Sequence, residues 1–161
     1  MEAMRVMMGK LKLTVNEEKT RHCRIPQERF DFLGYTFGRC YSTRTGRAYL
    51  GTRPSQTSIK KVCRAISEAT RRRWLRKDVE EQVVVLNRLL VGWANYFSLG
   101  PVSKPYRAVD SHATERLRRW LRNKHKQAGQ GTVQFPDEYR HEVLGLQRLS
   151  VRTRNVPWAK A

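Results

Sequence analysis

The chain has 161 residues, with 33 Lys and Arg against 14 Asp and Glu, a formal net charge of +19. That length holds one domain, or one domain with an appendage, and the four Trp, six Tyr and five Phe exclude a wholly disordered basic tail. No apolar run approaches the roughly 18 residues of a membrane span, and the basic stretch 1–13 lacks the features of a secretory signal.

Residues 1–52 read as strands. Leu11, Leu13 and Val15 alternate with polar residues, the period of a half-buried strand. Asn16 to Lys19 gives a turn, and Thr20 to Ile25 returns as a second strand before Pro26 ends it. Phe30 to Phe37 is rich in aromatics around Gly34, and Arg44-Thr45-Gly46-Arg47 forms a hairpin turn into the short strand Ala48-Tyr49-Leu50.

The period then changes. Pro54-Ser55 opens a helix with Ile59, Val62, Cys63, Ile66 and Ala69 on one face. Asp78 followed by Glu81 has the form of a capping box for a second helix, whose stripe is Val79, Val83, Leu86, Leu90, Trp93 and Phe97. Gly100-Pro101 stops it. Ser103 caps a third helix with Pro105 in its first turn, and Gly129 and Gly131 end it. Its stripe is Tyr106, Val109, Ala113, Leu117, Trp120 and Leu121. The last thirty residues read as a short helix and an extended tail. These elements predict an α+β chain: a short β segment over 1–52, a basic three-helix bundle over 53–130 and an irregular C-terminal tail over 131–161.

Charge is uneven along the chain. Residues 53–130 hold eighteen basic and six acidic residues, most of the surplus. The first helix presents Lys60, Lys61, Arg64, Arg71 and Arg72, and Arg73, Arg76 and Lys77 continue the run past Trp74. The third offers Arg118, Arg119, Arg122, Lys124 and Lys126. Solvated helix faces explain most isolated charge runs, but here the acidic residues that would form i,i+4 pairs are mostly missing. Arg and Lys on a rigid face neutralise phosphates and release counterions, so nucleic acid is the expected partner. Trp93, Tyr96 and Phe97 fall on the buried stripe, which makes them core residues before base-stacking ones. Tyr35 and Phe37 suit packing as well as a nucleic-acid contact.

Other chemistry is thin. Cys23, Cys40 and Cys63 are widely spaced and odd in number, which fits a reduced cytoplasmic protein. His22 adjoins Cys23 without paired metal-ligand spacing, and His112, His125 and His141 stand apart from any recognisable nucleophile. Asp31, Asp78, Asp110 and Asp137 are scattered, whereas a two-metal polymerase or nuclease clusters its carboxylates. No catalytic residue, metal ligand or cofactor is expected.

The run Met-Gly-Lys-Leu-Lys-Leu-Thr-Val-Asn-Glu-Glu-Lys-Thr from Met8 to Thr20 resembles the end of the palm in group II intron reverse transcriptase/maturases. Phe30-Asp31-Phe32-Leu33-Gly34-Tyr35-Thr36-Phe37 is similar to the segment that follows it, close to the primer strand in that family. Arg53-Pro54-Ser55 entering a basic helix, and Leu90-Val91-Gly92-Trp93-Ala94-Asn95-Tyr96-Phe97, look like the thumb or maturase domain. Gly145-Leu146 through Pro157-Trp158-Ala159-Lys160-Ala161 is similar to how bacterial members finish. The resemblance implies a palm remnant with a primer-grip-like turn at Phe32, Leu33, Gly34 and Tyr35, followed by a thumb/maturase-specific domain. The family's Tyr-Ala-Asp-Asp box and earlier metal-binding Asp lie upstream of the segment this chain matches. The implied function is therefore an RNA-binding maturase module of a truncated or split reading frame, with divalent metal used only in the full-length family. Its implied partners are intron RNA or an RNA/DNA hybrid, with an upstream reverse transcriptase fragment as a further one, in a bacterial cytoplasm. The rivals are the thumb of a reverse transcriptase completed by a separate chain, a remnant that binds polyanions without selectivity, and an unrelated helical DNA-binding module.

Overall fold

The computed structural model describes residues 2–14, 16, 23–25, 27–42, 45–129 and 131–153. The first element is a helix, α1 (Glu2–Lys10), and Leu11 to Thr14 after it are not the predicted strand. Glu, Ala, Met, Arg and Lys favour a helix there, and alternation at Leu11 and Leu13 makes a strand only where a partner strand meets it. Amide groups of Leu11 and Leu13 instead donate back to Met8 O at 3.0 Å, and Lys12 takes a left-handed φ of 55°. Val15 lies outside the described residues, as do residues 20–22 of the predicted return strand. Its described part, Cys23 to Ile25, is not strand; Glu28 closes a turn there by accepting from Arg24 N at 2.9 Å.

The sheet is antiparallel, in the order β1 (Phe30–Phe32), β2 (Tyr35–Tyr41), β3 (Ala48–Pro54). Leu33 and Gly34 join β1 to β2 with φ of 49° and 81°, the two positive values of a tight primed hairpin turn. A side chain at Gly34 would also place its Cβ 2.9 Å from the Phe97 ring. Tyr35 seats the sheet on the helices. Its hydroxyl donates to Tyr96 O at 2.6 Å, its ring lies 5.0 Å from Phe97, and Tyr96 returns a hydrogen bond to Leu33 O at 3.0 Å. Of the aromatics assigned to packing, Tyr35 and Phe97 are buried, Trp93 is half-buried and Tyr96 is exposed but tethered.

The helices follow the predicted stripes. In α2 (Gln56–Ala69), Ser55 is the N-cap and accepts from Ser58 N at 3.2 Å. In α3 (Val79–Tyr96), Asp78 occupies the N-cap position but its carboxylate makes no capping bond; Glu80 and Glu81 complement the helix dipole instead. In α4 (Ser103–Lys124), the N-cap is Val102, so Ser103 is the first helical residue and not the cap. This helix ends at His125, before the glycines predicted to stop it.

Ile66, Leu86, Leu90, Val109, Ala113, Leu117 and Leu121 are fully buried between these helices, with Trp120 among them. The three long helices do not close this core alone. Phe135, Leu146 and Leu149 belong to the same cluster, carried in by a π-helical turn (Tyr139–Val143) and by α5 (Leu149–Arg152). Asp110 on α4 holds α5 by accepting from Leu149 N at 2.8 Å and Ser150 N at 2.9 Å. Arg140, 1% exposed, donates to Thr114 O at 3.3 Å and pairs with Asp137. Burial, then the charges of Arg118 and Arg148, push the Arg140 guanidinium down to about 10. What reads in sequence as an irregular tail therefore contributes, through residue 153, to the floor of the domain; residues 154–161 lie outside the described set.

Leu149→Ala is expected to cost about 2–5 kcal/mol in chemical denaturation, like a deletion on the α4 stripe. A loss below about 0.5 kcal/mol, the usual surface value, would show that the C-terminal segment is not part of the core.

Candidate nucleic-acid interface

A cleft of about 680 Å³ gathers charge where the end of α2 meets the second half of α4. Six arginines line it, Arg71, Arg72, Arg116, Arg118, Arg119 and Arg122, against one carboxylate, Glu115. Periodicity explains the α4 contribution: positions 115, 118, 119 and 122 share a face at spacings of three and four. Arg71 and Arg72 arrive from the other side because α2 stops at Thr70 and the chain turns there.

The arginines are not equivalent. Arg116 is built into the fold: its Nε donates to Thr70 Oγ1 at 2.9 Å and its terminal nitrogen to Ser67 O at 2.9 Å. It thereby satisfies carbonyls that the end of α2 leaves open. Burial, then Arg119 and Arg71, lower its pKa from the ordinary arginine value, which reports the positive field of the cleft. Glu115 is shared by Arg118 and by Arg119 at 3.9 Å, while Glu68 pairs with Arg71 at 2.6 Å and Arg73 at 3.8 Å. Two carboxylates thus serve four guanidinium groups, and Arg71 and Arg119 remain more than half exposed. Arg122 donates to Gly129 O at 2.8 Å, which holds it at the rim.

The structure distributes the other predicted site residues around this cleft. Lys60, Lys61 and Arg64 are exposed on α2 but line no part of it; Lys61 borders a separate recess of about 670 Å³ with Leu33, Gly34, Trp93 and Phe97. Arg73 and Arg76 are exposed on the turn after Arg72, and the Lys77 ammonium lies 4.7 Å from the Trp74 ring. Lys124 is tied down, donating to Leu75 O at 3.1 Å and Lys77 O at 2.7 Å. Lys126 is exposed beyond the helix end. Phe32, Leu33 and Gly34 stand at the hairpin with Phe32 and Leu33 open to solvent, whereas Tyr35 is buried. Arg116 is the cleft residue that the sequence reading omits, although its three-residue spacing to Arg119 was a signal.

One contact has the outline of a nucleophile and base. Ser67 Oγ lies 2.9 Å from His112 Nε2, but the same nitrogen is 3.0 Å from Cys63 O. A carbonyl only accepts, so Nε2 carries the proton and is no free base toward Ser67. The contact is a clip between α2 and α4. Among the described residues no group of three or more His, Cys, Asp or Glu could hold a metal ion. No helix among them is long and apolar enough to cross a membrane.

Sheet, helices and cleft together define a small domain that presents a concave arginine face. Residues 59–134, which include every residue lining that cleft, match the family model for the group II intron, maturase-specific domain. The match supports a maturase C-terminal region over this part of the chain. The comparison with curated proteins gives no match.

Two predictions separate structural from surface groups. Arg116→Gln leaves Ser67 O and Thr70 Oγ1 without their donor and is expected to cost about 1–3 kcal/mol, while Arg119→Gln stays within about 0.5 kcal/mol; urea denaturation reads both. Burial lowers the pKa of His112 and His141 from the ordinary 6.5. The unfolded chain then binds more protons below that pH, so their contribution is complete above about 6.5 and lost on acidification. The melting temperature should fall between about pH 7 and pH 5, and His112→Gln with His141→Gln should flatten that fall.

Proposed function

We propose that the chain is an RNA-binding maturase module that holds group II intron RNA in its splicing-competent fold. The observation that carries this reading is the arginine cleft, lined by six guanidinium groups with one carboxylate, within the segment that matches the maturase-specific domain. Guanidinium groups held on α4 and on the turn after α2 suit phosphates that a folded RNA brings together from different strands, a recognition of shape and backbone before sequence. The mechanism is thermodynamic. An RNA fold whose phosphates fit the cleft is bound more tightly than its competitors, and its population rises by that difference.

A second reading rests on the hairpin. The side chains of Phe32 and Leu33 are exposed at its tip, which resembles a primer grip, and would serve a reverse transcriptase completed by another chain. Co-expression with a polymerase fragment, read as primer extension, tests it.

The first reading predicts steep salt dependence. Five or six neutralised phosphates give a log–log slope of affinity against salt of roughly −4 to −5, at ~0.7 to 0.9 per phosphate. Replacing Arg71 and Arg72 by Gln should make the slope shallower by about one to two units while the helical signal in circular dichroism holds. An unchanged slope with intact folding would remove the cleft from the interface.

A further inference from the structure

The turn between α2 and α3 leaves an aromatic ring open beside the cleft. Arg72–Trp74 is a single 3-10 turn, closed by Trp74 N donating to Arg71 O at 3.0 Å. It is not a loose loop: Lys124 on α4 donates to the carbonyls of both Leu75 and Lys77, so the far helix grips the turn from behind. Trp120 is buried and Trp93 half-buried, but Trp74 is 36% exposed and stands outside the hydrophobic core. Two cations accompany the ring, with the Arg73 guanidinium 5.2 Å and the Lys77 ammonium 4.7 Å from its centre. Arg71 and Arg72 of the cleft lie within the same turn.

A fixed indole, partly open to solvent and with two exchangeable cations over its ring, matches one kind of ligand group. An unpaired nucleobase offers a free π-face, and the phosphates on either side of it need counter-charges. A continuous duplex offers the phosphates without the face, because its bases are stacked on one another. Resting on the reading of the cleft as an RNA site, we infer that Trp74 is a stacking platform for an unpaired RNA base, with Arg73 and Lys77 on the flanking phosphates. The cleft then takes the folded backbone, and Trp74 selects RNA that has a loop or bulge next to it. The indole stacks over the base, and each cation exchanges its contact with the ring for one with a phosphate.

The test uses the full chain and two RNAs of equal length and composition, a hairpin with a single-stranded loop and a blunt continuous duplex, at one salt concentration. The native chain should prefer the hairpin. Trp74→Ala should weaken hairpin binding about tenfold, leave duplex binding unchanged and keep the melting temperature, since stacking on one base supplies a factor of that order. Trp74→Phe should retain most of the preference, and the quenching of tryptophan emission by hairpin RNA should diminish in that variant, a readout that survives even if the alanine variant is unstable. Equal losses on both RNAs, or no loss on either with quenching unaltered, would overturn the stacking role while leaving the cleft as an RNA site. Failure of the native chain to bind either RNA would overturn the RNA reading itself, and this inference with it.

Discussion

A helix leaves its last carbonyl groups without donors of their own, and at the end of α2 those groups point into the protein. Gln82 of α3, itself buried, donates to Ala69 O at 2.9 Å, and Arg116 of α4 donates to Ser67 O at the same distance. Thr70 completes the set by donating to Ile66 O at 2.8 Å while accepting from Arg116. Three helices are therefore tied at one point, and the tie fixes how far the end of α2 stands from α4. The arginine cleft opens directly over it. Because one of the donors is a guanidinium, closing the helix places a cation beneath Arg71 and Arg119, and the burial and, after it, the repulsion that lower the pKa of Arg116 follow from the same geometry.

The cleft therefore combines rigidity with charge in excess of its counterions. Glu68 and Glu115 each sit between two arginines, which aligns the guanidinium groups without neutralising them. Such an arrangement has little value for holding a monomer together, since exposed ion pairs contribute about 0–1 kcal/mol. Its value is in orientation. If a polyanion enters as proposed, side chains already held by Glu68 and Glu115 lose less conformational entropy than free lysines would.

The helical stripes were legible in the sequence because every buried position on α4, from Tyr106 to Leu121, repeats at three or four residues. The α4 side of the arginine cleft was legible for the same reason, whereas Arg71 and Arg72 reach it through the turn after α2. Contacts between distant segments were not: nothing local to Gln82 or Arg116 says that they close another helix, and nothing local to Leu146 or Leu149 says that a segment without periodicity fills the floor of the core. Residues 11–13 misled because alternation describes a strand only when a partner exists to complete it. Asp78 was placed at the right position for a cap, but position alone does not orient a carboxylate toward an amide.

The order of the elements has a consequence for synthesis. As the chain leaves the ribosome, α2 and α3 appear with Ile66, Leu86 and Leu90 on view, and the helix that covers them comes later. Even α4 leaves an opening that Leu146 and Leu149 fill, so the apolar interior stays accessible until the segment after α4 has been made. Nascent chains with open apolar surface are prone to association with one another. A highly cationic nascent chain that is still translating next to its own anionic transcript has a different neighbour at hand. The chain's net charge of +19 also opposes association of incomplete copies, because like-charged chains repel while the last segment has yet to close the interior.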